Sequence, residues 1–223
     1  MHSKESELVT ASHELRHHFS DMEQQREAST MGMWVFLLTE IMFFGGMFAA
    51  YLIYRFEYYQ AWAAGSAHMN FWFGTINTAV LICSSLTMAL AVRASQVGQK
   101  KMMVTLLIVT ILFGCAFMVI KGFEYHEHWQ AREFPGNNFH FDGPDPYHVE
   151  MFFVLYWFTT GFHALHVLIG LGLVGTIAYL GSKGRYNAGY HNPVENAGLY
   201  WHFVDLVWIY LYPLLYLIPK THA

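Results

Sequence analysis

Few ionisable side chains fall within the apolar stretches of this chain, and their spacing sorts them into groups. Glu40 stands ten residues into an apolar run beginning near residue 31, and it is the only charge between Glu27 and Arg55. His163 and His166 are three apart and therefore share a helical face, which Thr159 and Gly170 continue. Glu195, His202 and Asp205 follow at intervals of seven and three, again on one stripe. An ionisable group in an apolar span is costly, so each is a functional suspect. Glu40 has no Lys or Arg at comparable depth in the expected spans, so it is expected to be neutral or to share a proton, and to react with hydrophobic carboxyl reagents. Proton handling and a plain bond to a neighbouring helix both fit it. Imidazoles beside carboxylates can bind a metal, relay a proton or tie two helices together.

The metal reading meets two obstacles. Di-iron bundles use Glu-x-x-His pairs, and none lies inside the expected spans. Glu124-Tyr125-His126 is offset by two and is expected at a membrane face. A bis-histidine haem needs two histidines at equal depth. Counting ~1.5 Å per residue from the N-terminal side puts His166 at ~25 Å and His202 at ~10 Å. Helix-to-helix hydrogen bonds are therefore expected for His163, His166 and His202, and no metal or haem on this chain. Glu40 and Asp205, at ~15 and ~12 Å on the same ruler, have room to share a polar patch. Cys83 and Cys115 have no CxxC spacing and imply neither a disulfide scaffold nor a zinc ribbon. Gly45-Gly46 and Gly170, Gly172 and Gly175 read as close helix-packing surfaces.

The elements that must hold these groups are apolar to an unusual degree. Of the 223 residues 55% are hydrophobic and only 13% charged, with a net charge of −4. A soluble domain carries about 25% charged residues, so a soluble enzyme is excluded, and no basic run suggests nucleic acid. No charge occurs from Tyr58 to Val92, from Met102 to Ile120 or from Met151 to Ser182, and only Asp205 lies between Glu195 and Lys220. Crossing the ~30 Å hydrocarbon layer takes ~20 apolar residues. Five segments qualify, at about 31–54, 71–93, 102–123, 149–181 and 197–218. The expected fold is an all-α, polytopic five-helix membrane bundle over 31–218. A polar tail, 1–30, precedes it and a short tail, 219–223, follows. The tail histidines His2, His13, His17 and His18 read as solvated.

Lys and Arg set the orientation. Lys4, Arg16, Arg26, Arg93, Lys100, Lys101, Lys183 and Arg185 fall on the side of the N-terminus. Arg55, Lys121, Arg132 and Lys220 fall on the other. The N-terminus is expected in the cytoplasm and the C-terminus opposite. Tyr58, Trp62, Trp72 and Trp129 sit near span boundaries as interfacial aromatics do. The longest connection, about 124–148, holds turn formers around Pro135, Gly136, Gly143 and Pro144, and can pack over the bundle or against a partner.

Several strings in these spans resemble one family. Met33-Trp34-Val35-Phe36-Leu37-Leu38-Thr39-Glu40-Ile41-Met42-Phe43-Phe44, Ile76-Asn77-Thr78 and Gly122-Phe123-Glu124-Tyr125 are joined by two more specific ones. These are Thr160-Gly161-Phe162-His163-Ala164-Leu165-His166-Val167 and Tyr200-Trp201-His202-Phe203-Val204-Asp205-Leu206-Val207-Trp208. In order and spacing they resemble subunit III of the haem–copper oxidases, most closely the bacterial cytochrome c oxidase type, over roughly 31–218. The resemblance implies a non-catalytic subunit of a proton-pumping terminal oxidase in aerobic respiration. Haem and copper then reside in partner chains, above all the catalytic subunit I. It implies stabilisation of that subunit, support for proton uptake, bound phospholipid and residence in the bacterial cytoplasmic membrane, within the oxidase or a larger respiratory supercomplex. Its carbodiimide-reactive glutamate falls on Glu40. His163, His166, Glu195, His202, Asp205 and Glu124 become an interhelix polar seam or lipid site. Many members have seven spans, and this sequence aligns from what would be the third. The equivalent subunit of a quinol oxidase or nitric oxide reductase is the nearest rival, against which Glu40 and Phe123-Glu124-Tyr125 weigh. A transporter is remoter: it calls for internal repeats and broken helices, and only Pro213 interrupts a late span.

Overall fold

The computed structural model describes residues 19–143, 145–186 and 189–218, which form an all-α bundle. Its helices are α1 (Met22–Glu57), α2 (Tyr59–His68), α3 (Phe71–Gln96), α4 (Lys100–Gln130), α5 (Pro146–Ser182) and α6 (Asn192–Tyr216). The four tail histidines lie outside the described residues. α1, α3, α4 and α5 are each long and apolar enough to cross a membrane. α6, with 25 residues, is ~37 Å long, but its Tyr, Trp, His and Asp side chains make it more polar.

The helices outrun the apolar segments that announced them. α1 begins nine residues before the expected span because Asp21 caps it. The Asp21 carboxylate accepts from the Gln24 N–H at 2.7 Å, and Gln24 reaches back to the Ser20 N–H at 2.8 Å. α4 continues past Lys121 to Gln130, which shortens the expected 124–148 connection to 131–145. Nothing between Gly122 and Pro135 breaks a helix, so loss of apolarity there is not loss of helicity.

α3, α4, α5 and α6 pack as neighbours around the bundle, and α1 lies against α5 and α6. One apolar core runs from Leu37 and Phe44 through Phe117, Phe152 and Trp208. A second, around Met88, Met103, Val174 and Trp201, closes the end where α6 begins. Leu38, Met42, Leu86 and Leu112 point outward and are exposed, as a membrane-facing surface requires.

The short helix α2 was not expected. It fills the connection between α1 and α3, and its Trp62 is buried against Tyr51, Tyr54 and Phe152. Trp62 is therefore a core residue rather than an interfacial anchor, whereas Trp72 and Trp129 are exposed. α1 and α2 also finish α6, whose last carbonyls have no partner within the helix. The Tyr51 hydroxyl donates to the Leu214 carbonyl, and Ser66 Oγ donates to that of Leu215 at 2.8 Å. The 131–145 connection folds onto the bundle: Phe139 meets Phe153, and the Gly136 N–H donates to Glu150 at 2.9 Å.

Close packing involves other glycines than expected. Gly45, Gly46, Gly172 and Gly175 have nothing near a would-be Cβ, and of the expected set only Gly170 abuts a neighbour, Trp201. Gly65 is the tightest of the glycines within helices, since a Cβ there would stand 2.4 Å from the Phe152 ring, itself fully buried. Gly65→Ala is expected to cost about 1–3 kcal/mol through overpacking, read as a lower melting temperature of the purified protein.

Candidate functional site

Hydrogen bonds between helices supply the depth scale that residue counting lacked. Asn196 Nδ2 donates to Ser29 Oγ at 2.9 Å, and Thr30 Oγ1 lies 3.4 Å from Asn192 Oδ1, so α1 and α6 are level there. Gln96 Nε2 donates to Glu195 at 2.7 Å, and Arg26 lies 3.7 Å from the same carboxylate. Glu195 thus joins α1, α3 and α6 at the bundle end, away from the seam expected with His202 and Asp205. Counted from the Thr30–Asn192 contact, Glu40 and His202 both lie ~15 Å deep and Asp205 ~20 Å.

At that depth Glu40 Oε2 meets His166 Nε2 at 3.0 Å, joining α1 to α5. Counted from Ser182, His166 would lie ~24 Å deep, so α5 overhangs the common level by roughly 9 Å. The depth mismatch between His166 and His202 is therefore an artefact of where counting started. Direction separates them instead: His166 faces α1, and His202 Nδ1 bonds Ser85 Oγ of α3 at 2.8 Å. Nor do Glu40 and Asp205 share a patch: Glu40 bonds His166 of α5, whereas Asp205 lies beside Ser85 and His202 between α3 and α6.

The protons of the Glu40–His166 couple follow from its partners. His166 Nδ1 lies 2.8 Å from the Phe162 carbonyl oxygen, which only accepts, so Nδ1 carries hydrogen. The Nε2–Oε2 contact then holds a single proton, as a carboxylic acid facing imidazole or a carboxylate facing imidazolium. Phe44 packs edge-on against the ring, with centroids 5.2 Å apart, and Tyr200 donates to the His166 carbonyl at 3.1 Å. This arrangement can store and exchange one proton within the apolar layer.

His163 does not bond a neighbouring helix as expected. Neither ring nitrogen has a hydrogen-bond partner among the described residues; the ring packs against Phe117 and Trp208. His163→Leu loses no hydrogen bond seen here and is expected to stay within about 1.5 kcal/mol of the parent in denaturant titration. His166→Leu, which strands Glu40, should cost more.

A second cluster surrounds Glu124 at the far end of α4. Lys121 and Glu124, expected at a membrane face, are 2% and 0% exposed. Lys121 Nζ donates to Glu124 Oε1 at 3.0 Å, to Tyr156 at 3.0 Å and to Tyr216 at 2.9 Å, which uses all three of its hydrogens. Glu124 Oε1 also accepts from Tyr156 at 2.6 Å and Tyr216 at 2.5 Å, so α4, α5 and α6 meet on one oxygen. His128 lies one turn further, with Nε2 4.0 Å from Glu124 and Nδ1 2.5 Å from Glu133. The other oxygen of Glu133 takes His68 Nδ1 at 2.7 Å, which ties α2 to the turn after α4. Six participants went unnoticed in the sequence: His68, Lys121, His128, Glu133, Tyr156 and Tyr216. The signal was the stripe Lys121, Glu124, His128 at intervals of three and four, legible once the helix is known to continue. Among the described residues no three His, Cys, Asp or Glu side chains are grouped to hold a metal ion.

Comparison with known proteins agrees with these motifs. The family model for cytochrome c oxidase subunit III matches residues 9–219. Cytochrome c oxidase subunit 3 of Thermostichus vulcanus is 33% identical over 191 residues, covering 85% of this chain and 87% of that protein. The protein of the same name from Corynebacterium diphtheriae is 33% identical over 195 residues, with 85% and 87% covered. That of Loxodonta africana is 32% identical over 203 residues, covering 86% of this chain and 70% of the relative. With its helices, its Glu40 string and both histidine strings in place, this chain belongs to the cytochrome c oxidase subunit III family.

Proposed function

We propose that this chain is the accessory subunit III of a proton-pumping cytochrome c oxidase. It would bind the catalytic subunit I, which carries haem and copper, and support proton uptake from the cytoplasm. The observation that carries the reading is the Glu40–His166 hydrogen bond, which holds one exchangeable proton ~15 Å inside the bundle. α1, α3, α4, α5 and α6 make five spans in the bacterial cytoplasmic membrane, with residues 1–30 on the cytoplasmic side and 219–223 opposite. Burial removes Lys121 from the loop charges, which strengthens the excess of Lys and Arg on the N-terminal side. Phospholipids cover the exposed apolar faces.

The test compares the oxidase with and without this chain. Depleted enzyme should take up protons more slowly and lose activity sooner during turnover, and adding the chain back should restore both. Identical uptake and lifetime in the two preparations would leave the chain no such role.

A further inference from the structure

Between α3 and α6 lies a cleft of about 400 Å³ that the proton-sharing couple does not use. Its walls are apolar, with Ile82, Leu86 and Leu206 exposed to the membrane side, and Ser85, His202 and Asp205 stand at its polar end. Asp205 is 3% exposed, yet neither carboxyl oxygen has a hydrogen-bond partner among the described residues. Ser85 neighbours it, with Oγ 2.8 Å from His202 Nδ1, and does not meet hydrogen-bond geometry with the carboxyl. A buried polar group left unpaired costs on the order of 1–3 kcal/mol, so a donor arriving in the cleft would gain from meeting it. Asp205 lies near the middle of α6, beyond the reach of a charged lipid headgroup, and acyl chains carry no donor. A helix, ~10 Å across with its side chains, does not enter this volume, which lies within the range of small-molecule sites.

We propose that this cleft binds a lipid-dissolved molecule with an uncharged hydroxyl on an apolar body. Its O–H donates to Asp205, and its body lies against Ile82, Leu86 and Leu206. A carboxyl group accepts that hydrogen in either protonation state. The hydroxyl has two natural sources in a bilayer, the phenol of a quinol and an aliphatic alcohol.

The purified oxidase complex tests this with a diazirine-bearing hexadecanol and its methyl ether, which lacks only the donor. The alcohol should label residues 81–89 or 202–209 about tenfold more than the ether, the weight of one hydrogen bond in an apolar site. Asp205→Leu should remove that preference, and Asp205→Asn, which still accepts, should keep it. Ala89→Phe narrows the cleft without touching the carboxyl, so it should also abolish labelling should Asp205→Leu fail to assemble. Competition by decylubiquinol would identify the phenolic source, and competition by octadecanol alone the aliphatic one. Equal labelling by ether and alcohol would overturn the proposal. So would a benzophenone at position 82 that crosslinks to another polypeptide, since a partner's side chain would then fill the cleft.

Discussion

Glu124→Leu is expected to lower stability by about 3–5 kcal/mol, because it leaves the Lys121 amine buried inside the bundle without its counter-ion. Two tyrosine hydroxyls lose their acceptor in the same step, and they come from α5 and α6. Loosening should therefore spread to three helices and appear as loss of the chain from its complex in mild detergent. The double variant Lys121→Met with Glu124→Leu removes both charges and should recover most of the deficit, since an apolar pair of similar volume often replaces a buried ion pair at little cost. Denaturant titration of parent, both single variants and the double variant gives the coupling between them. Additive single effects would show that the two side chains do not depend on each other.

Glu40→Gln separates the bond from the proton. The glutamine amide can still donate to His166 Nε2, so assembly and stability should stay close to the parent. Reaction with a hydrophobic carbodiimide at this position should vanish, and the oxidase should show slower proton uptake and earlier inactivation. His166→Phe acts in the opposite sense on the reagent: it removes the imidazole that engages the Glu40 carboxyl, which should then be labelled more readily. Peptide mass analysis after labelling reads both outcomes. A Glu40→Gln enzyme with parental uptake and lifetime would reduce the couple to a helix tie.

The sequence made the helices legible and left their ends hidden. Absence of charge marks what an apolar layer can accept, and it located the five long helices. It does not mark where a helix stops, because Glu, Gln, His and Lys continue a helix readily in water. α1 gained a capped turn at Asp21 and α4 ran on to Gln130 for that reason. The error at α4 hid the Lys121 cluster, since a lysine at the edge of an apolar run looks like an interfacial charge. Glu40 stood out because it was alone. Its partner His166 was named, but the pairing was not, because the overhang of α5 spoiled the depth estimate. Spacing along one helix says which side chains share a face; it does not say which helix that face meets. His163 illustrates this, three residues from His166 and packed among aromatic rings instead.

Purification of the tagged chain with its companions in mild detergent tests the account most directly, through haem spectra and copper content before and after the chain is stripped away. The complex should show reduced haem bands and copper, while the stripped chain should be colourless and metal-free. A Soret band on the solitary chain, or companions without haem and copper, would contradict it.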